Sequence, residues 1–275
     1  MNKLLFDTHA HINYESYSDA DREGVYGRIE SSPLAFVLDI GCDIDSSKQA
    51  AAGAEMRPWY YAAVGVHPHD TEKFTDSDLS VLRELIRRPK VVAVGEIGLD
   101  YYRDYSPREK QRDAFQKQLR LALDERMPII IHDRESGGDM FRMLTEEGAF
   151  SEERISAFPP NPETGKPDAR IIMHCFSGSL EQAVEYIKRG CTISIAGPVT
   201  YKNNKKTVRV AAGIPLANML IETDSPYLTP EPFRGKPNEP VYVEYVARKI
   251  AELRGISYEE VAGATLSNAR RVFGI

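Results

Sequence analysis

No run of 18 apolar residues occurs anywhere in this 275-residue sequence, which leaves no candidate for a membrane-spanning helix. No basic segment followed by an apolar one opens it, so no secretory leader is expected. Cysteine is scarce. Cys42, Cys175 and Cys191 are odd in number and far apart. That spacing excludes a disulfide framework and a zinc ribbon, and it suits a reducing compartment. Positive charge is in deficit as well: 35 Lys and Arg stand against 41 Asp and Glu, a net charge of -6. A surface that coats duplex DNA non-specifically is therefore not expected, and any nucleic-acid contact should be local. No glycine-rich nucleotide fingerprint follows any apolar run, and no fixed-period repeat or sustained low-complexity tract is present. The expectation is a cytoplasmic chain, with no membrane attachment and no evident obligate protein partner.

What the sequence has is alternation. Hydrophobic residues make up 42% of it, ample for a buried core. Strand-like runs begin near Leu4, Leu34, Tyr60, Val91, Ile129, Ile171, Thr192 and Met219, and amphipathic segments lie between them. The aliphatic, β-branched continuity of the runs suits buried parallel strands. Ser106-Pro107-Arg108-Glu109 reads as an N-cap serine, a proline at N1 and a capping-box glutamate. In the helix that follows, Phe115, Leu119, Ala122 and Leu123 share a face. Leu79, Leu82, Leu85 and Ile86 mark another helix, and Ser257 with Glu260 opens a late one. Eight β-then-α units predict an α/β chain, a single-domain (β/α)8 TIM barrel over residues 1–275. An open doubly wound sheet is the runner-up. Ala149 to Arg170, with four prolines and mixed charges, reads as a loop insertion between the fifth helix and the sixth strand.

The chemistry lies where the runs end. The first closes on His9 and His11, the third on His67 and His69, the fourth on a stretch holding Glu96. The fifth closes on His132, the sixth on His174 and the eighth on Asp224. All six histidines of the sequence are in this set. In a barrel, the C-terminal ends of the strands share one catalytic face. Each residue alone has a plainer explanation. A strand-end histidine can bond a loop carbonyl, Glu96 can be a structural carboxylate, and Asp224-Ser225-Pro226 can simply begin a turn. Jointly, several imidazoles and two carboxylates around one pocket are costly to bury unless cations link them. The mixed donor set is compatible with zinc, manganese or magnesium. Two cations would need a bridging anion, and Glu96 is the best candidate.

The stretches FDTHAHIN, VGVHPHD, VGEIGLDYYRDYSP, IIIHDR, HCFSGS and IETDSPYLTPEPFRGKPNEP together resemble the TatD-type metal-dependent deoxyribonucleases, within the wider amidohydrolase-like metal barrels. The resemblance runs through nearly the whole chain. It implies that His9, His11, Glu96 and Asp224 hold one divalent ion and Glu96, His132 and His174 the other. It also implies hydrolysis of phosphodiester bonds in DNA, with 3′-5′ exonuclease character. Asn13 departs from the family, which often has aspartate there, and the Ala149–Arg170 insertion looks longer than usual.

On the substrate side, His67 is placed to donate to a phosphate, while His69 shapes its loop. Arg103, Arg134, Arg234 and Lys236 lie in strand-end loops and can pair with phosphate oxygens, or be ordinary solvated charges. Tyr101, Tyr102 and Tyr227 can stack bases or pack the rim. Lys202, Lys205, Lys206 and Arg209 form a basic cluster after the seventh strand. Single strands or frayed ends are expected as better substrates than intact duplex. Asp224 and Glu96 are the expected catalytic carboxylates, Asp224 for proton transfer and Glu96 as the bridge. The alternative is an amidohydrolase-type ester or amide hydrolase, including an aminoacyl-tRNA deacylase. Many such enzymes bridge their metals with a carbamylated lysine on the fourth strand, where this sequence has Glu96. A third possibility is a metal-dependent nucleic-acid binder without catalysis.

Overall fold

A computed structural model of the protein describes residues 3–13 and 17–275. Eight strands form, each beginning within one residue of an apolar run read from the sequence. They are β1 (Leu5–Ala10), β2 (Leu34–Ile40), β3 (Tyr60–Val64), β4 (Val91–Asp100), β5 (Ile129–Arg134), β6 (Ile171–Met173), β7 (Cys191–Ile195) and β8 (Met219–Ile221). They make one sheet in chain order, β1 to β8. The pairs β1–β2, β3–β4, β4–β5, β5–β6 and β7–β8 are parallel. Just beyond β8 a parallel bridge joins Ser225 to Ala10, so the last strand returns beside the first. The helices between them are α1 (Asp19–Ser31), α2 (Ile44–Met56), α3 (Asp76–Leu85), α4 (Arg108–Asp124), α5 (Asp139–Glu146), α6 (Glu152–Ser156), α7 (Leu180–Lys188) and α8 (Lys205–Gly213). Two more, α9 (Val243–Arg254) and α10 (Tyr258–Phe273), follow β8. This order and alternation are those of a (β/α)8 barrel.

By contacts the chain divides into two compact units. One comprises Met1–Asp39, Cys175–Ile187 and Thr192–Ile275, the other Ile40–His174 and Lys188–Cys191. In the first unit Phe6 on β1 meets Phe36 and Phe273 at ring-centroid separations of 5.6 and 5.8 Å. Asn268 on α10 donates to the carbonyls of Leu216 and Met219 (2.8 and 2.9 Å), tying that helix to the start of β8. The expected cap of α10 is present: Ser257 Oγ accepts from the Glu260 amide at 3.1 Å. The helix ends on Gly274, whose φ of 72° is the left-handed cap that glycine adopts without a Cβ penalty.

In the second unit the three consecutive isoleucines of β5 are all buried, as befits a strand covered on both faces. Phe115, Leu119 and Ala122 line the inner face of α4, while Leu123 is half-buried. Truncating Phe115 to alanine in such a setting costs about 3–5 kcal/mol. Gln118, also on α4, accepts from the Val66 amide (2.7 Å) and donates to the Val66 carbonyl (3.0 Å). That pair anchors the loop that carries His67. Ala149–Arg170 lies between α5 and β6, as expected, and contains the short α6. Arg154 of α6 is buried, donating from Nε to Ala169 O (3.1 Å) and from Nη2 to Met127 O (2.6 Å).

The capping box expected at Ser106 does not form. The N-cap of α4 is Pro107, with no side-chain cap bond. Ser106 is fully buried and is used elsewhere. Its hydroxyl donates to the His69 carbonyl (2.7 Å) and accepts from the Glu72 amide (3.2 Å). These long-range bonds to the 3-10 turn Pro68–Lys73 outcompete a local cap, because a hydroxyl in a dry interior takes the partners it meets there.

Candidate metal-binding clusters

In the first unit the sequence places His9 inside β1 and His11 one residue past its end. Both are buried, at 0% and 4% exposure. Their Nε2 atoms lie 3.2 Å apart. Asp224 Oδ1 approaches at 3.4 Å from His11 Nε2 and 3.8 Å from His9 Nε2. Three potential donor atoms thus face one point. Asp224 is held there by its backbone: its amide donates to His9 O (2.9 Å) and its carbonyl accepts from Tyr227 N–H (2.9 Å). It therefore does begin a turn, and the turn aims its carboxylate. Its φ of 57° is left-handed, an uncommon state for a residue with a side chain. Beneath it, buried Asp7 accepts from the amide and hydroxyl of Thr223 (2.8 and 2.6 Å). Burial pushes the Asp7 carboxyl well above the usual carboxylate range, against those bonds. Asn13 donates from Nδ2 to Asp39 Oδ2 at 2.6 Å. A second carboxylate at position 13 would oppose Asp39, whereas an amide pairs with it.

The second unit holds Glu96, His132, His174, His67 and His69. Glu96 lies within β4, four residues before its end, and is 2% exposed. Its Oε1 is 2.6 Å from His132 Nδ1, 3.0 Å from His174 Nε2 and 3.7 Å from His67 Nε2. One carboxylate oxygen thus collects three imidazoles. His67 Nδ1 accepts from the His69 amide at 3.1 Å. Neutral His67 therefore carries its proton on Nε2, facing inward as a donor. His67, Glu96 and His132 also have donor atoms close enough to share an ion.

Asp100 is the residue that the sequence reading missed. It closes β4 and is fully buried. Glu96, Gly98 and Asp100 share one face of the strand by their spacing of two. Asp100 Oδ2 accepts from His132 Nε2 (3.2 Å) and His69 Nε2 (2.8 Å). His132 thus lies between two carboxylates, Glu96 at Nδ1 and Asp100 at Nε2. Gly98 makes room: its φ is 152°, and a Cβ there would overlap the His132 carbonyl oxygen. Burial works against the charged imidazole, but Glu96 and then Asp100 outweigh it and raise the His132 pKa to about 9. Burial also opposes the Asp100 carboxylate, yet the bonds from His132, His69 and the Arg103 amide hold its pKa far below the usual range.

The remaining candidates gather on aromatic rings. Tyr102, 55% exposed, lies 4.1 Å from the Arg134 guanidinium and 5.9 Å from that of Arg103. Arg234 stacks on Tyr201 at 4.3 Å, and the Lys236 ammonium is 6.0 Å from Phe233. These contacts suit cation–π pairing.

A family model described as TatD related DNase matches residues 6–274. The chain belongs to this family. The sequence is 44% identical over 272 residues to an uncharacterized metal-dependent hydrolase, YabD of Bacillus subtilis, covering 99% of this chain and 100% of that one. It is 33% identical over 261 residues to the 3′-5′ ssDNA/RNA exonuclease TatD of Citrobacter rodentium, covering 93% and 92%. Among solved structures, the TatD homologue YjjV of Escherichia coli K12 superposes with a TM-score of 0.86 at 31% identity, over the full length of both chains. Family membership makes this chain a metal-dependent hydrolase and agrees with the barrel class read from its strands. The donor chemistry fits as well: imidazole nitrogens and carboxylate oxygens brought this close can hold a metal ion.

Proposed function

We propose that the protein hydrolyses phosphodiester bonds of DNA with two divalent cations, trimming single strands or frayed ends with 3′-5′ polarity. The carrying observation is the pair of donor sets, His9–His11–Asp224 and Glu96–His132–His174, in a chain whose relatives include a named 3′-5′ ssDNA/RNA exonuclease. By the family's pattern, His9, His11, Glu96 and Asp224 hold one ion, and Glu96, His132 and His174 the other. Magnesium, manganese and zinc all suit the set. Such cations, when bound, polarise phosphate oxygens and lower the pKa of water.

The chain's own groups do the rest. Asp224, by way of its carboxylate oxygens, takes the proton of the attacking water and passes one to the departing oxygen. His67 donates from Nε2 to a phosphate oxygen. Arg103, Arg134, Arg234 and Lys236 pair with flanking phosphates. Tyr102 and Tyr227, exposed by 55% and 46%, offer faces for unpaired bases. The 36 residues from Tyr186 to Ile221 contain six Lys or Arg and no acid. Within that stretch Lys202, Lys205, Lys206 and Arg209 offer a local track for a single strand in an acidic protein. Residues 1–275 act as one hydrolase domain, and the cytoplasm is the proposed place of action. Among the described residues no helix is long and apolar enough to cross a membrane.

The test is turnover of 3′-labelled and 5′-labelled single-stranded DNA, with and without chelator, across magnesium, manganese and zinc. Metal-dependent loss of label from the 3′ end first, faster than on blunt duplex and weaker at high salt, is expected. Absence of DNA turnover by every loaded form, beside hydrolysis of a carboxylic ester or aminoacyl-tRNA, would replace this reading with the carbon-centred one.

A further inference from the structure

We infer that Asp100 is a positioning residue, which fixes the tautomer and ring orientation of His132 so that Nδ1 is presented to the Glu96 cluster as a ligand. The inference rests on the proposed metal role of that cluster, and every contact it uses lies within the second unit.

An imidazole can ligate through one nitrogen only if its proton is kept on the other. Nothing in the ring itself selects between them. Here the selection is made from outside. Asp100 Oδ2 faces His132 Nε2 at 3.2 Å, and a carboxylate accepts but cannot donate. Asp100 therefore retains the Nε2 proton, and the proton that Nδ1 shares with Glu96 Oε1 at 2.6 Å is the one an incoming cation displaces, which leaves the Nδ1 lone pair as the ligand.

Asp100 can do this because it is itself immobilised. Its Oδ1 accepts from the amides of Tyr102 and Arg103 at 3.0 and 2.8 Å. Its own amide donates to Gln111 Oε1 at 2.8 Å, and Gln111 Nε2 returns a bond to the Asp100 carbonyl at 3.2 Å. The same Oδ2 also accepts a hydrogen bond from His69 Nε2. His69 in turn is tied through its carbonyl to Ser106, and its amide donates to His67 Nδ1. One buried carboxylate thus orients His132 directly and His67 through a chain of two bonds. This also explains why Ser106 is buried rather than capping α4.

The prediction is separable from overall stability. Asp100→Asn keeps the size of the side chain but removes the charge and admits an N–H where only an acceptor stood. Zinc affinity of the metal-free protein would be measured by competition with a chromophoric chelator, for the parent, Asp100→Asn, His132→Gln and the double variant. Loss of such an outer hydrogen bond typically costs 10–100-fold in affinity. Asp100→Asn should weaken one zinc equivalent by about that factor and leave the other unchanged. In the His132→Gln background it should add almost nothing, because the two act as one unit.

A purely structural role would lower affinity equally in both backgrounds, and that result overturns the inference. So does parental affinity in Asp100→Asn. If that variant fails to fold, ring-nitrogen NMR of the zinc-loaded parent decides. A proton on His132 Nε2 with zinc at Nδ1 is expected, and the opposite arrangement refutes it. A parent that binds no zinc at all overturns the metal reading and this inference together. Tight parental binding with an indifferent Asp100→Asn overturns this inference alone.

Discussion

In the metal-free protein His132 is a charged imidazole held between two carboxylates, and its proton should be measurable as stability. Burial disfavours that charge, but Glu96 and Asp100 raise the folded pKa to about 9, against about 6.5 in an unfolded chain. A shift of roughly 2.5 units corresponds to about 3 kcal/mol. The sign follows from which state binds the proton more tightly. Because the folded value is the higher one, the stabilisation is complete below pH 6.5 and is lost as pH rises through 9. The side chain is only 16% exposed, so solvent screening does little to reduce it. The perturbation is His132→Gln, which removes the titration. The assay is urea unfolding in chelator at intervals from pH 6 to pH 10. Between pH 6.5 and 9 the parent should lose about 3 kcal/mol more than the variant. Lysines, tyrosines and cysteines that titrate in the same range are common to both proteins and cancel in the difference. Parallel pH profiles for parent and variant would refute the charged-pair account of His132.

The same proton has to leave when a cation takes Nδ1, so metal affinity should fall about tenfold for each pH unit below 9. Calorimetry in buffers of different ionisation enthalpy would count the proton released. Glu96→Ala removes the oxygen that collects three imidazoles and should lose metal and activity together, read by elemental analysis beside turnover. Asp224→Asn keeps an oxygen ligand but cannot take a proton; it should retain most of its metal and bind DNA while turnover falls roughly 10²–10⁴-fold, and near-parental turnover would reduce Asp224 to a ligand. Gly98→Ala forces β4 away from the His132 carbonyl and should lower both the melting temperature and zinc affinity; an unchanged affinity would mean that His132 does not depend on this close approach.

Much of this architecture was legible in the linear chain. Short aliphatic runs separated by amphipathic segments identified eight strands to within a residue at their starts. The histidines were legible for the same reason: a parallel strand has a direction, so a residue after an apolar run is at its C-terminal end whatever the sheet does. His9, His11 and His174 could thus be placed at strand ends before any distance was known, whereas Glu96 lies four residues inside the end of β4.

What the chain could not show was which polar groups meet. Asp100 follows Glu96 by four residues, a visible same-face spacing, but its partners lie 31 and 32 residues away at His69 and His132. Ser106 had the local signature of a cap but is itself buried and took partners more than 30 residues distant instead. Asn13 departs from the family's usual aspartate, and its partner Asp39 could not be read from the chain. In each case the deciding quantity is the cost of leaving a donor or acceptor unpaired away from water. Hydrophobic periodicity is local, so the sequence alone determined the elements and their order. Pairing of buried polar groups depends on which strands become neighbours, so only the tertiary structure decided the proton positions and the orientation of the donors.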